Sequence, residues 1–147
     1  MKSILEVPEK YRFSQVLEQN TYLINGKLKY WPGHRTNVYS PIYLENSQGK
    51  LAPTLLGTIP SLTEKEALEA LDSAYNAYDK GRGEWPTMKV EERILCIENF
   101  TKLMLETRDE VVTFLMWEIG KPYNESCDEF DRTIEYINDT ISTLKEM

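Results

Sequence analysis

The sequence predicts an α/β fold, with a β-hairpin and short strands up to about residue 60 followed by about four α-helices. Three observations carry this reading. Asn25-Gly26 joins two β-prone runs, and that pair is the strongest short hairpin signal because a type I′ turn needs φ > 0 twice. Two overlapping capping boxes, Ser61 with Glu64 and Thr63 with Glu66, open a helix. Beyond them, apolar residues recur at helical rather than alternating spacing.

Residues 1–19 read as a loosely structured arm that lies on another part of the protein. The hairpin follows over Tyr22–Trp31, and Pro32-Gly33 ends its second strand. Val38 to Leu44 is a further strand, with Pro41 placing it at an edge or a bulge. Asn46-Ser47-Gln48-Gly49 is a turn, and Leu55 to Ile59 is a short strand closed by Pro60. The first helix puts Ala67, Leu68, Leu71, Ala74, Tyr75 and Tyr78 on one face, and Gly81 after Lys80 suits its end. Trp85-Pro86 sits in a linker.

The second helix runs from about Lys89 to Glu106. Val90, Ile94, Ile97, Thr101 and Met104 form one stripe, and Cys96, Phe100 and Leu103 form another, so this helix is expected to be enclosed on more than one side. The third, from about Arg108 to Ile119, carries Val111, Val112, Leu115, Met116 and Ile119, and Gly120 with Pro122 stops it. The fourth begins near Ser126, with Phe130, Ile134, Ile137, Ile141 and Leu144 as a narrow seam. No Gly or Pro closes that pattern. The expectation is that the 147 residues are the front part of a longer protein.

Composition narrows the function. The net charge of −7 argues against nucleic-acid and anionic-membrane surfaces, which both need a positive face. The sequence has neither a long apolar run nor a signal-like apolar segment near Met1. Two cysteines are too few for a disulfide framework, so a reducing, cytoplasmic setting is expected. His34 is the single histidine, which leaves no His–His metal cluster and makes a Ser-His or Cys-His dyad unpromising.

Individual candidates read mostly as structural. Cys127 lies at a helix start beside Asp128 and Glu129, which disfavour a thiolate, and Cys96 reads as inert core. His34 reads as a surface loop residue, Gly81-Arg82-Gly83 as a helix stop, and Glu118 as a base without a partner. Arg132 is the charge of interest. It lies about 160–240° from the seam at roughly 100° per residue, turned away from the packing face. Spacing alone allows an ion pair with Asp128 on a solvated face, or an arginine whose donor fork binds an anion. No complete catalytic, metal or nucleotide-binding set is present by this reading, so the site assignment is catalytic none, cofactor none and metal none.

One order of phrases is distinctive. Leu23-Ile24-Asn25-Gly26 comes first, then Tyr39-Ser40-Pro41 and Leu56-Gly57-Thr58-Ile59-Pro60. Trp85 and Glu92-Arg93-Ile94 follow, with Glu118-Ile119-Gly120-Lys121-Pro122 and Glu129-Phe130-Asp131-Arg132-Thr133 last. The series resembles the N-terminal portion of the aldehyde dehydrogenase superfamily from about residue 20 to 147. Within it, the Glu129–Tyr136 and Trp85–Val90 phrases look most like the NADP-dependent, non-phosphorylating glyceraldehyde-3-phosphate dehydrogenases.

The resemblance implies a partial piece of an aldehyde dehydrogenase (Rossmann-like) cofactor domain over residues 20–147, preceded by the arm. It implies a parent enzyme that oxidises an aldehyde, glyceraldehyde 3-phosphate in the narrower likeness, to a carboxylate with NADP or NAD. The family's nucleophilic cysteine, its glutamate and most nucleotide contacts lie beyond the matched region, so the piece itself is expected to be inactive. One residue carries across, since Arg132 occupies the position of an arginine that helps hold the substrate phosphate. The partners implied are an aldehyde substrate, the remainder of the same polypeptide, and further copies in a homodimer or homotetramer. The alternative from the residues alone is a small helical protein-interaction module with a β-hairpin arm and no catalysis.

Overall fold

The computed structural model describes residues 3–13 and 15–147. Met1, Lys2 and Ser14 of the expected arm lie outside the described residues. The rest of the arm forms two short 3-10 turns, Ile4–Glu6 and Glu9–Tyr11, and strand β1, Leu17–Glu18. The hairpin is β2, Thr21–Ile24, and β3, Lys27–Tyr30, paired antiparallel. Asn25 and Gly26 both adopt positive φ, 52° and 68°, as the type I′ reading requires.

The two later strands are longer than expected: β4 spans Arg35–Glu45 and β5 spans Leu51–Pro60. They pair antiparallel, β1 adds to β5 in parallel, and the sheet order is β1-β5-β4. Pro41 sits on the edge strand inside a register shift between Tyr39 and Tyr43, where the ladder requires no N–H from it. Gly57 is needed where β1 crosses, since a Cβ there would lie 2.4 Å from the Leu17 carbonyl oxygen.

The helices are α1, Glu64–Tyr78; a single turn α2, Glu84–Thr87; α3, Val90–Glu106; α4, Arg108–Phe114; and α5, Tyr123–Glu146. Thr63 with Glu66, not Ser61 with Glu64, caps α1. Ser61 bonds Thr36 at 2.6 Å instead. The end of α1 is formed by Asp79, Lys80 and Gly81, all at positive φ, rather than by the glycine alone. Trp85-Pro86 is a helical turn, not a linker, because proline is tolerated in a first turn. α5 begins three residues before Ser126, whose hydroxyl is fully buried and donates to the Pro122 carbonyl.

The largest departure lies after α4. Leu115–Ile119 winds as one π turn, which Gly120 ends at φ 77°. The wider turn adds a residue per revolution, so Trp117 swings into the core while Ile119, placed on the packing stripe by 3.6-residue spacing, is exposed. Trp117 is 2 % exposed and packs with Val7, Leu44 and Leu56, bordered by Ile4, Tyr11, Phe13, Ile42 and Met116. Its indole N–H donates to the Tyr11 carbonyl at 2.7 Å, and its carbonyl accepts from the buried Ser40 hydroxyl. The arm is thereby built into the same core as the sheet.

Two expected packing faces stay open. Leu68, Leu71, Tyr75 and Tyr78 of α1 are exposed. The side of α1 that packs carries buried Glu66 and half-buried Glu69, and Glu69 ion-pairs with Lys29 of β3. On α3 the Ile94–Thr101 stripe is covered, while Leu95, Cys96, Phe100 and Leu103 are exposed. The expected enclosure of α3 on more than one side is not present in this chain, and Cys96 is not core.

Candidate substrate-anion site

The first half of α5 shows how one run of sequence distributes its side chains. Glu129 reaches back to ion-pair with Lys121. Phe130 is buried, with the Arg108 guanidinium 6.0 Å from its ring centre. Asp131 takes Arg108 in a two-pronged pair, Nε to Oδ1 at 2.7 Å and a terminal nitrogen to Oδ2 at 2.6 Å. Those hydrogen bonds hold the Asp131 carboxyl below the usual carboxylate range and raise Arg108 further. Thr133 donates to the Glu129 carbonyl at 2.9 Å.

Arg132 is the exception. It is exposed, and among the described residues it makes no hydrogen bond or ion pair, so the pairing with Asp128 that spacing allowed does not form. One helical turn further on is Tyr136, 63 % exposed, on the same side of α5. A free guanidinium beside an exposed aromatic can take a small anion joined to a short organic body.

The remaining candidates are not brought to this place. The His34 imidazole shares a 3.1 Å hydrogen bond with Ser61, and its carbonyl accepts from Trp31. Glu118 is exposed, Cys127 is half-buried near Arg108, and no cysteine meets the histidine. Gly81-Arg82-Gly83 is packed as a helix stop: a Cβ on Gly83 would lie 1.8 Å from the Ala77 carbonyl oxygen. No group of three or more His, Cys, Asp or Glu among the described residues is arranged to hold a metal. No helix among the described residues is long and apolar enough to cross a membrane. Sequence spacing missed the Arg108–Asp131 pair, since partners 23 residues apart leave no local signal.

A dinucleotide site of the Rossmann kind needs parallel strands joined through a glycine-rich turn and a helix. The parallel pairing here is the two-residue β1–β5 contact, and β1 leads into a hairpin. The described residues therefore do not fit such a cofactor, and no step of its chemistry is assigned to them.

Comparison with known proteins settles the family. The aldehyde dehydrogenase family profile matches residues 49–147, well over half of the chain. The chain belongs to the aldehyde dehydrogenase family. Mitochondrial succinate-semialdehyde dehydrogenase of Mus musculus is 30% identical over 89 residues, covering 60% of this chain and 15% of that protein. The NADP(+) succinate-semialdehyde dehydrogenase of Escherichia coli (strain K12) is 28% identical over 82 residues, covering 56% of this chain and 16% of that one. The chain thus spans about 15% of the length of these relatives.

The fold agrees. A crystal structure of an NAD-dependent aldehyde dehydrogenase from Sinorhizobium meliloti matches the whole chain at TM-score 0.78 and 20% identity, using 27% of that protein. An NADP-dependent glyceraldehyde-3-phosphate dehydrogenase from Bacillus halodurans C-125, crystallised with NADP, matches 86% of this chain and 24% of that one, at TM-score 0.66 and 23% identity. The mixed strands and helices are those of part of an aldehyde dehydrogenase domain, as the order of phrases implied.

Proposed function

We propose that this aldehyde dehydrogenase chain works as the N-terminal part of an NAD(P)-dependent enzyme that oxidises an aldehyde bearing an anionic group at its far end, glyceraldehyde 3-phosphate foremost. The observation that carries the reading is Arg132. Every other charged group in Glu129–Arg132 has an ion-pair partner, and this one guanidinium stands free beside Tyr136. In this reading Arg132 binds the phosphate and orients the aldehyde, and the reacting groups and nucleotide belong to the complementary part of the enzyme. The chain by itself is inactive. Assembly as a homodimer or homotetramer in a reducing, cytoplasmic compartment belongs to the same proposal, supported by two free cysteines and the uncovered apolar face of α1.

The names of the curated relatives favour a second substrate. Succinate semialdehyde has a carboxylate where glyceraldehyde 3-phosphate has a phosphate, and an arginine fork accepts both. The test is Arg132→Ala in the active enzyme, assayed with glyceraldehyde 3-phosphate, succinate semialdehyde and an uncharged aldehyde of similar size. Loss of a hydrogen bond to a charged group, about 1.5–3 kcal/mol, corresponds to a rise in KM of roughly ten- to a hundred-fold for the anionic substrate. The uncharged aldehyde should be almost unaffected. Equal changes for all three substrates rule the anion role out, and a selective effect on succinate semialdehyde alone transfers the role to a carboxylate.

A further inference from the structure

The run Glu129-Phe130-Asp131-Arg132 sets a problem for an anion-binding arginine. Glu129 stands three residues before Arg132 in α5, and side chains at that spacing are neighbours on a helix surface. A glutamate there is a ready partner for the guanidinium. An anion arriving from solution would have to displace a carboxylate already in place, and would meet its negative charge as it did so.

The fold removes this competitor. Lys121 lies in the short connection ahead of α5, between Gly120 at φ 77° and Pro122 at the helix cap. From there its amine reaches the second turn of α5 and takes the Glu129 carboxylate in an ion pair between two half-buried residues. Arg108 occupies Asp131 in the same way, from the first residue of α4. Both acids in the run are therefore held by cations from outside α5. Asp128 and Glu135, the other acids within one turn of Arg132, are exposed to water, and among the described residues neither pairs with it.

We propose that Lys121 is a positioning residue for the substrate anion: by holding Glu129 it keeps the Arg132 guanidinium unpaired and open to the anionic end of the aldehyde. The proposal rests on the reading of Arg132 as the anion-binding residue. Lys121 itself touches Glu129, not the substrate.

The test is a charge-swap set in the active enzyme at its natural length, assayed with glyceraldehyde 3-phosphate and an uncharged aldehyde of similar size. Lys121→Met releases Glu129 toward Arg132 and should raise KM for the phosphorylated aldehyde roughly two- to five-fold, with kcat little changed. The uncharged aldehyde should keep its KM, and the rise should shrink as salt is added. Lys121→Arg, which keeps the cation, should hold the parent value. Glu129→Gln removes the competitor and should not raise KM, and Lys121→Met with Glu129→Gln should return KM to the parent value. A merely structural ion pair gives another pattern: Glu129→Gln is as harmful as Lys121→Met, the double variant does not recover, and both aldehydes suffer alike. That pattern overturns the proposal. So does a full Lys121→Met effect in an enzyme already carrying Arg132→Ala, because Lys121 would then act on the anion directly. Arg132→Ala alone reads the underlying assignment. If it is not selective for the anionic aldehyde, the site reading fails and this proposal with it. If it is selective and the Lys121–Glu129 pattern is absent, this proposal alone fails.

Discussion

The two ends of the hydrophobic pattern behave differently. Around Trp117, four elements from distant parts of the sequence close on one another: the arm through Val7, β4 through Leu44, β5 through Leu56 and the π turn itself. Along the outer faces of α1 and α3 the residues are equally apolar, yet Leu71 is 63 % exposed and Leu103 is 61 % exposed. Apolarity alone did not decide burial. The Trp117 cluster is satisfied within the chain because its indole N–H and its carbonyl both have partners. The open helical faces are amphipathic surfaces with nothing laid against them here, in keeping with a chain that spans about 15% of its relatives.

That contrast can be broken most sharply at Trp117. Trp117→Ala removes the largest buried side chain of the cluster and leaves a cavity, so it should cost about 3–5 kcal/mol, measured as a shift in the denaturant midpoint. A loss below about 1 kcal/mol would mean that the arm and the π turn do not share a core. Thr63→Ala should cost about 1 kcal/mol through loss of the α1 cap. Its effect should be visible as faster amide exchange in the first turn of α1.

Leu71→Ala and Leu103→Ala sharpen the other side. In the 147-residue chain each should stay within about 0.5 kcal/mol, because an exposed side chain has little burial to lose. In a complete aldehyde dehydrogenase the same changes should cost more wherever a neighbour covers the face. Melting temperatures measured in both settings test this.

The smallest expected effect is electrostatic. Asp131, Glu98 and Glu66 all have carboxyl groups held below their ordinary range, by Arg108, Lys145 and Thr63 respectively. A carboxylate whose folded pKa is depressed adds stability above its unfolded pKa. That stability is lost as pH falls through the folded value. The melting temperature should therefore decline on acidification below about pH 4. Asp131→Asn should make the decline shallower and leave the slope above pH 6 unchanged. An identical slope for both proteins below pH 4 would remove the Arg108–Asp131 pair from the account.

Much of the architecture is local chemistry and was legible from the residues. Asn25-Gly26 makes its turn because that backbone needs two positive φ values, and Gly120 ends its helix for the same kind of reason. The Phe130–Ile141 stripe points inward because a regular helix repeats every 3.6 residues. The same rule put Arg132 on the outer side, where the structure has it. The rule fails where the winding changes: a π turn leaves no simple spacing signature, so periodicity does not find Trp117 and groups Ile119 with the apolar face of its helix, where the structure exposes it.

The sequence by itself determined which segments turn, which wind into helices and which side of α5 carries Arg132, since those follow from φ preferences and periodicity among near neighbours. Tertiary structure alone decided that Asp131 would be occupied by Arg108, that Arg132 would make no ion pair with Asp128, and that Arg93 Nε would border a groove without an acceptor. It also decided that two apolar faces would remain uncovered. These are contacts between residues far apart in the chain, and no local preference encodes which distant partner arrives.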